Sequence, residues 1–276
     1  MDTIETIKGS VVQHGTHNDR VYLMRFNTQD SRELITILDN MAVAKGYGKI
    51  FAKIPAPAWN AFKTAGYVKE AVVPGLFGGK VDGFFVGKFF SDTRQAAPNT
   101  EKRPRMLRQG IKRFPNENNC IGQAMPSVAA CQVSDAEEMG AVYGRVFESY
   151  PFPIQKPVYL KRMMREGVLY FNIRVNGRIA AIAAAEIDLA GNNTEMTDFA
   201  TLPQWRGKGF AGALLNHMNQ KTHEMGIKTA YTIARAASNK MNAVFKNSGY
   251  NYAGRLINNS QICGGIESMT VWYRHL

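Results

Sequence analysis

The spacing of apolar and polar side chains changes in the middle of the stretch from Asn192 to Met225. Its first part alternates as a strand does, with one face formed by Glu195, Thr197, Phe199 and Thr201 and the other by Met196, Asp198 and Ala200. Its second part has apolar residues at helical spacing, namely Ala211, Leu214, Leu215, Met218 and Met225. We therefore predict a strand that leads into a helix through the segment 204–211.

The N-terminal third shows the same two kinds of pattern. Predicted strands cover 9–14, 20–26, 49–54, 67–73 and 82–90. A helix is predicted from Asp30 or Ser31 to Gly46, and a shorter helix ends at Gly66. Strands and helices thus alternate from the start of the chain.

The C-terminal part continues this alternation. Predicted strands cover 128–133, 168–175, 178–187 and 228–235, and two more start at 250 and 267. Ser134 and Glu137 have the spacing of a capping box at the start of a helix, a second helix covers 157–166, and a short one ends at Gly249. This order of elements predicts an α/β protein with a mixed α+β sheet.

Two segments of the chain repeat one local pattern, a short helix that ends in glycine before a strand. They are AFKTAGY at 61–67 and VFKNSGY at 244–250. We infer a weak internal repeat and predict three parts: a smaller N-terminal domain (1–92), a basic linker (93–126) and a larger C-terminal domain (127–276).

Composition narrows the class of protein. The chain has 276 residues, 45% of them hydrophobic, and its N-terminus is polar and acidic, so we expect a cytoplasmic protein without a membrane partner. The cysteines Cys120, Cys131 and Cys263 lack metal-ligand spacing, and no metal is expected.

The formal net charge of +12 raises the question of an anionic partner. Seven basic residues lie between Arg94 and Arg113 against the single acid Glu101. This run is either a solvated linker or a binding patch, and the absence of recognisable RNA or DNA modules argues against a nucleic-acid partner.

The segment between the central strand and helix has the features of a phosphate site. Gly207 and Gly209 allow close backbone approach, and the helix that follows offers free N–H groups and the positive end of its dipole. Arg206 and Lys208 add positive charge. The fingerprints of Rossmann domains and P-loops are both absent.

The pattern Gln-x-x-Gly-x-Gly at 204–209, after a strand and before a helix, resembles the pyrophosphate-binding segment of the GNAT superfamily of acyl-CoA-dependent N-acyltransferases. The resemblance covers about 128–276, and it implies that 1–92 is a degenerate GNAT-like half. Longer phrases resemble the β-lysine N6-acetyltransferases: NDRVYLM (18–24), KIFAK (49–53), YPFP (150–153), TEMTDFAT (194–201) and ESMTVW (267–272). That family implies acetyl-CoA as cosubstrate, β-lysine as small-molecule acceptor and the compatible solute N6-acetyl-β-lysine as product.

The resemblance also implies roles for individual residues. The pyrophosphate loop would comprise Gln204, Arg206, Gly207, Lys208, Gly209 and Ala211. Phe199 and Thr201 would lie on the strand that pairs with the pantetheine arm, and Asn239 and Asn242 would touch the cofactor. Phe245 replaces a tyrosine that protonates the leaving thiolate in many relatives, so Tyr250 or Tyr252 substitutes for it, or CoA leaves unaided.

Acetyl transfer requires a neutral amine, and therefore a group that accepts its proton. Glu195 is the predicted base, on the same strand face as Phe199 and Thr201, with Asp198 as the alternative on the opposite face. Tyr150 and Phe152 would form the lid of the acceptor site. Two other functions stay open at this point: acetylation of a protein or RNA amine, and a CoA-binding regulator without catalysis.

Overall fold

The computed structural model describes residues 2–27, 31–96 and 126–276. Two predictions therefore lie outside the described residues: most of the basic linker (93–126), with Cys120, and the alternative helix start at Asp30.

The described residues 2–27 and 31–96, which we call the N-terminal half, contain six strands and three α-helices. They are β1 (Thr3–Ile7), β2 (Ser10–Gly15), β3 (Arg20–Arg25), α1 (Ser31–Lys45), β4 (Lys49–Pro55), α2 (Trp59–Thr64), β5 (Val68–Phe77), β6 (Val81–Phe89) and α3 (Asp92–Gln95).

The described residues 126–276, which we call the C-terminal half, contain seven strands and four α-helices. They are β7 (Val128–Ala130), α4 (Ala136–Val146), α5 (Pro157–Arg165), β8 (Leu169–Val175), β9 (Arg178–Asp188), β10 (Asn193–Thr201), α6 (Phe210–Glu224), β11 (Thr229–Arg235), α7 (Asn239–Asn247), β12 (Asn251–Ile262) and β13 (Gly265–His275).

The predicted α/β class with a mixed sheet is confirmed, and two local predictions need correction. The strand β1 is not predicted by the sequence pattern, because it is an edge strand whose side chains are nearly all exposed and therefore show no buried face. The capping box is formed by Gln132 and Asp135 around the 3-10 turn that precedes α4, not by Ser134 and Glu137: the Gln132 N–H donates to Asp135 at 2.7 Å, and α4 itself has no side-chain cap. Because residues 133–135 form this turn, β7 ends earlier than predicted.

All described strands belong to one sheet of 13, in the order β1-β2-β3-β4-β6-β5-β12-β13-β11-β10-β9-β8-β7. Each half has one parallel pair, β3 with β4 and β10 with β11, and a helix connects the two strands of each pair. Outward from the centre, the first six strands of each half follow the same order, and β7 has no counterpart among the described strands of the N-terminal half. This repeated topology supports the inference of an internal repeat.

The halves meet where β5 pairs with β12, at Ala71 and Gly254. A Cβ atom on Gly254 would lie 2.3 Å from the Glu70 carbonyl oxygen, so glycine is required for this close approach.

Beside this junction, Lys49 donates to the Glu70 carboxylate and to the Ile257 carbonyl, both at 2.7 Å, and the Ile257 N–H donates back to Glu70 at 2.6 Å. The Lys49 side chain is fully buried, which lowers its pKa to about 8 although Glu70 opposes the shift. Loss of one partner from such a buried pair typically costs about 3–5 kcal/mol. Both partners are also hydrogen-bonded to the backbone of Ile257 in β12, so this set ties the halves together.

The sheet is strongly curved. The rings of Phe85 on β6 and Tyr231 on β11 lie 5.7 Å apart, although three strands separate β6 from β11 in the sheet. Neighbouring strands are about 4.8 Å apart, so a flat sheet would hold these rings at roughly 19 Å. Curvature therefore brings the N-terminal half over one face of β11.

Helices cover the C-terminal half on both faces. On one face, α6 and α7 pack over a core that includes Met196 and Ala185. On the other, α4 and α5 pack over a core that includes Ala184 and Ala200. Among residues 2–27, 31–96 and 126–276, every helix is too short or too polar to cross a lipid bilayer.

Candidate active site

The parallel strands β10 and β11 separate along their length. They pair at three positions, the last being Glu195 with Tyr231. Beyond that position β10 continues to Thr201 and stays paired with β9 on its other side, while β11 continues to Arg235 beside β13. The result is a slot whose walls are strand backbone without a ladder partner, and an extended ligand can pair with such backbone.

A β-bulge lies in β10 beside this slot. The register with β9 shifts between Thr197 and Ala200, and Asp198 within the bulge has a left-handed φ of 55°. Non-glycine residues adopt this conformation at a cost, although aspartate tolerates it better than most residues. The bulge is therefore a local irregularity at the point where the strands separate.

Because of the bulge, Glu195 lies on the opposite face of β10 from the one predicted for it. Thr197 pairs with Ala184, whose side chain belongs to the core under α4 and α5, and Glu195 shares that face because it lies two residues earlier. Phe199 instead packs on Phe245 of α7, on the opposite face. Glu195 thus does not share a face with Phe199 and Thr201, because one extra residue reverses the alternation.

The same irregularity moves Asp198 to the side of Glu195. The Tyr150 hydroxyl donates to Asp198 at 2.7 Å, and Tyr150 packs with the core under α4 and α5. The prediction that Asp198 lies on the face opposite Glu195 is therefore wrong. A regular strand would have separated the two carboxylates.

A third carboxylate completes an acidic recess, which we define as Glu186, Glu195 and Asp198. Glu186 lies directly opposite Glu195 in the β9–β10 register, and its side chain is reached by solvent. Partial loss of water and the charges of Glu195 and Asp198 raise the pKa of Glu186. Burial raises the pKa of Asp198 to about 6, against the opposing effect of the Tyr150 hydroxyl. A cation bound among these carboxyl groups would stabilise their ionised forms, so the recess is suited to a positively charged ligand.

Glu195 is connected to the N-terminal half through Tyr231. The Tyr231 hydroxyl is hydrogen-bonded to Glu195 and accepts a hydrogen bond of 2.8 Å from Lys53 Nζ. Burial raises the pKa of Glu195, whereas Lys53 and Tyr231 oppose that rise. The sequence reading missed Glu186, Lys53 and Tyr231; the only available signal was the acid at the end of the apolar run 179–185.

The glycine loop has the predicted form. Gly207 and Gly209 have φ of 80° and 82°, and Gly209 is the residue before α6. No side chain caps this end of α6, so its first N–H groups are available to an anion. Arg206 Nε donates to the Thr201 carbonyl at 3.2 Å, and Lys208 is exposed. Gln204 is also exposed, and Ala211 lies in the first turn of α6.

The two asparagines predicted to touch the cofactor differ. Asn239 is exposed at the start of α7. Asn242 is buried, donates to the carbonyls of Arg235 and Ser238, and accepts from Thr270 and Trp272. Its donors and acceptors are all used, so the prediction that it contacts a cofactor is not supported; Asn242 fixes α7 to β11 and β13.

Tyr250 does not lie at the slot. Its hydroxyl donates to Asn219 of α6 at 2.6 Å, and the side chain is buried against Phe245. Burial raises the pKa of the Tyr250 hydroxyl above its ordinary value. The prediction of Tyr250 as a proton donor to the thiolate is therefore not supported by its position. The phenyl ring of Phe245 packs on Phe199 and has no proton to give.

The loop before α5 joins the recess to the N-terminal half. Tyr150 and Phe152 line a cavity of about 360 Å³ together with residues of β2 and its turn. His17 Nε2 donates to the Tyr150 carbonyl at 3.1 Å, and Gln13 Nε2 donates to the Pro151 carbonyl at 3.2 Å. The N-terminal half thus covers the side on which the carboxylates lie. Among the residues that the structure describes, no group of His, Cys, Asp or Glu is arranged to hold a metal ion.

Known proteins that are similar to this chain are N-acetyltransferases. Residues 137–250 match the model of the acetyltransferase (GNAT) family. The β-lysine N6-acetyltransferase of Methanococcus maripaludis is 34% identical over 99% of both chains. The enzyme of that name from Methanosarcina mazei is 28% identical over 88% of this chain and 97% of its own.

Among solved structures, the ribosomal-protein-S18-alanine N-acetyltransferase of Escherichia coli superposes with a TM-score of 0.48 at 20% identity, covering 54% of this chain and 92% of its own. The two full-length relatives extend the likeness beyond the GNAT domain to the N-terminal half. The chain is a GNAT N-acetyltransferase and belongs to the family of the β-lysine N6-acetyltransferases.

Proposed function

We propose that this enzyme transfers the acetyl group of acetyl-CoA to the N6 amine of β-lysine, giving N6-acetyl-β-lysine and free CoA. The observation that carries the proposal is the acidic recess beside the slot between β10 and β11. β-Lysine bears two ammonium groups and one carboxylate. Three clustered carboxylates are suited to a substrate with two positive charges.

The slot and the glycine loop form one continuous site for acetyl-CoA. The pyrophosphate would be held by the N–H groups at the start of α6, with Arg206 and Lys208 supplying positive charge. The pantetheine arm would pair with the free edge of β10 near Phe199 and Thr201. This arrangement directs the thioester along β10 toward the bulge, where Glu195 and Asp198 lie on the acceptor side.

The N6 amine is an ammonium at neutral pH, with an ordinary pKa of about 10.4. We assign Glu195 as the group that accepts its proton, directly or through a water molecule, because it lies at the fork of the two strands. The neutral nitrogen attacks the thioester carbonyl carbon, and the carbon–sulfur bond breaks. A thiol has a pKa of about 8.5, so the thiolate leaves without an acid at the position of Phe245.

The remaining carboxylates hold the rest of the acceptor. The Tyr150 hydroxyl donates to Asp198 Oδ1, so Asp198 lies next to the lid formed by Tyr150 and Phe152. The contacts of His17 and Gln13 to this lid narrow the approach to the recess. A small amine fits this enclosure better than a protein or RNA chain does. Acetylation leaves a product with one carboxylate and one ammonium, whose zero net charge suits a compatible solute.

The direct test is release of free CoA, followed with a thiol reagent, when purified enzyme and acetyl-CoA are mixed with β-lysine, α-lysine or a lysine-containing peptide. We expect kcat/KM for β-lysine to exceed that for either alternative by at least about tenfold, roughly 1.4 kcal/mol of discrimination. Preference for the peptide would indicate a macromolecular acceptor. CoA binding without release of thiol in any mixture would indicate a regulator.

Substitution of Gly209 by valine tests the acetyl-CoA site. A β-branched residue is strained at a φ of 82°, and its side chain would stand where the pyrophosphate approaches. We expect the Kd for CoA, measured by calorimetry, to rise at least about tenfold.

Gly226→Val is the matched control for this substitution. Gly226 follows the other end of α6 with the same φ of 82°, and a Cβ atom there meets nothing within 4 Å. It should cost similar stability without changing CoA affinity. Equal affinities in folded Gly209→Val and Gly226→Val proteins would contradict the site assignment.

Glu195→Gln tests the proton acceptor, because it keeps the shape of the side chain and removes its basicity. We expect kcat/KM for β-lysine to fall by roughly 10²–10⁴ at neutral pH. The loss should shrink as the pH rises toward the amine pKa, since more acceptor is then already neutral.

Glu186→Gln is the matched control, since it removes the same group from the position opposite Glu195. It should act mainly on the KM for β-lysine. An unchanged kcat/KM in Glu195→Gln would show that Glu195 is not the base and would leave Asp198 as the next residue to test.

A further inference from the structure

We propose that Lys53, on β4 of the N-terminal half, binds the carboxylate of the acceptor and so makes the enzyme select amines that carry one. The inference rests on the proposed function, because it concerns the part of β-lysine remote from the N6 amine. It also assigns a direct role in the acceptor site to the N-terminal half, which lacks the glycine loop.

Lys53 has unused capacity for a hydrogen-bond partner. Its half-buried side chain donates to the Tyr231 hydroxyl, and Nζ lies 5.0 Å from the centre of that ring. In the described ranges none of the ion pairs involves Lys53. An ammonium group has three donors, so two remain for a ligand.

The two other lysines of the N-terminal half that are not exposed are each paired with a carboxylate. Lys49 is paired with Glu70 at 2.7 Å, and Lys88 is paired with Asp39 at 2.6 Å. Lys53 instead meets the neutral hydroxyl of Tyr231, which separates it from Glu195. A partly desolvated ammonium is stabilised by an anion, and the acceptor carboxylate would supply one.

The dimensions of β-lysine match this placement. Lys53 Nζ and the Glu195 carboxylate lie on either side of one hydroxyl oxygen, so two hydrogen bonds separate them by at most about 6 Å. In β-lysine six bonds of about 1.5 Å join N6 to the carboxylate carbon, a span of roughly 7.5 Å when extended. The molecule can therefore place N6 at Glu195 and its carboxylate at Lys53.

The charges of the site agree with the same orientation. The recess contributes three carboxylates and the acceptor two ammonium groups, which leaves the acceptor carboxylate as an additional negative charge in this region. Without a cation nearby, Glu186, Glu195 and Asp198 would repel that carboxylate. Lys53 is a cation from a strand that reaches the recess, and its field acts on both Glu186 and Glu195.

Lys53→Met distinguishes binding of the acceptor carboxylate from a merely structural role of Lys53 in supporting Tyr231 and Glu195. We compare the KM for β-lysine with the inhibition constant of pentane-1,4-diamine, which keeps both ammonium groups of β-lysine and lacks the carboxylate. The variant should raise the KM for β-lysine by about 10- to 100-fold, the effect of one charge-assisted hydrogen bond. The inhibition constant of the diamine should stay within about threefold or fall, because a repelling positive charge has been removed.

Lys69→Met is the matched control. Lys69 also belongs to the N-terminal half and lies over aromatic rings, at 4.7 Å from Trp59 and 4.1 Å from Phe84, within a different cluster of side chains. It should change neither constant. Lys53→Arg should keep most of the affinity for β-lysine, since it retains the charge.

Two results would overturn the inference. One is an unchanged KM for β-lysine in Lys53→Met; the other is a parallel rise of both constants, which would mean that Lys53 acts only by supporting Tyr231 and Glu195. Unaltered diamine inhibition also shows that the variant is folded. Failure of the proposed function is seen separately, as a wild-type enzyme that does not acetylate β-lysine.

Discussion

The β-bulge in β10 is the local feature on which the candidate site depends. One extra residue between Thr197 and Ala200 reverses the alternation of the strand, so Glu195 and Asp198 project to one side while Phe199 packs on the other. In a regular strand the two carboxylates would lie on opposite faces. The strained backbone of Asp198 is retained beside the slot, a common place for strain in an enzyme.

The second constraint is the curvature of a sheet shared by both halves. The close approach at Gly254 and the buried set of Lys49, Glu70 and Ile257 hold the halves together. Curvature then brings β4 against β11, so that Lys53 meets Tyr231. The repeated strand order suggests how such a site arises: one copy of a duplicated unit keeps the glycine loop, and the other closes the acceptor side.

The sequence was sufficient for most local elements and for the backbone form of the glycine loop. Alternating and helical spacing predicted most strands and helices. The turn at Gly207 and Gly209 was predictable because left-handed backbone conformations favour glycine. The bulge at Asp198 contains no glycine, and the alternation of side chains around it predicts a regular strand, so the bulge could not be predicted.

Contacts between distant segments were equally invisible in the sequence. Nothing in the residues around Lys53 indicates that it approaches Tyr231 and Glu195, because sheet curvature brings it there. Glu186 reaches Glu195 in another way, through the pairing of β9 with β10, whose register is not evident from the residues around Glu186. The predicted roles of Asn242 and Tyr250 are not supported for a related reason: tertiary packing uses their polar atoms inside the protein, at Arg235, Ser238 and Asn219.

The proposed site fixes one orientation of the acceptor: N6 of β-lysine faces the slot at Glu195, while the carboxylate end, with its neighbouring β-ammonium, lies toward Lys53. The most direct measurement is the position of the acetyl group in the product, read by NMR after reaction with acetyl-CoA labelled with carbon-13 at the carbonyl. The account predicts a single amide at N6. An amide at the β-nitrogen, or a mixture of the two products, would contradict it.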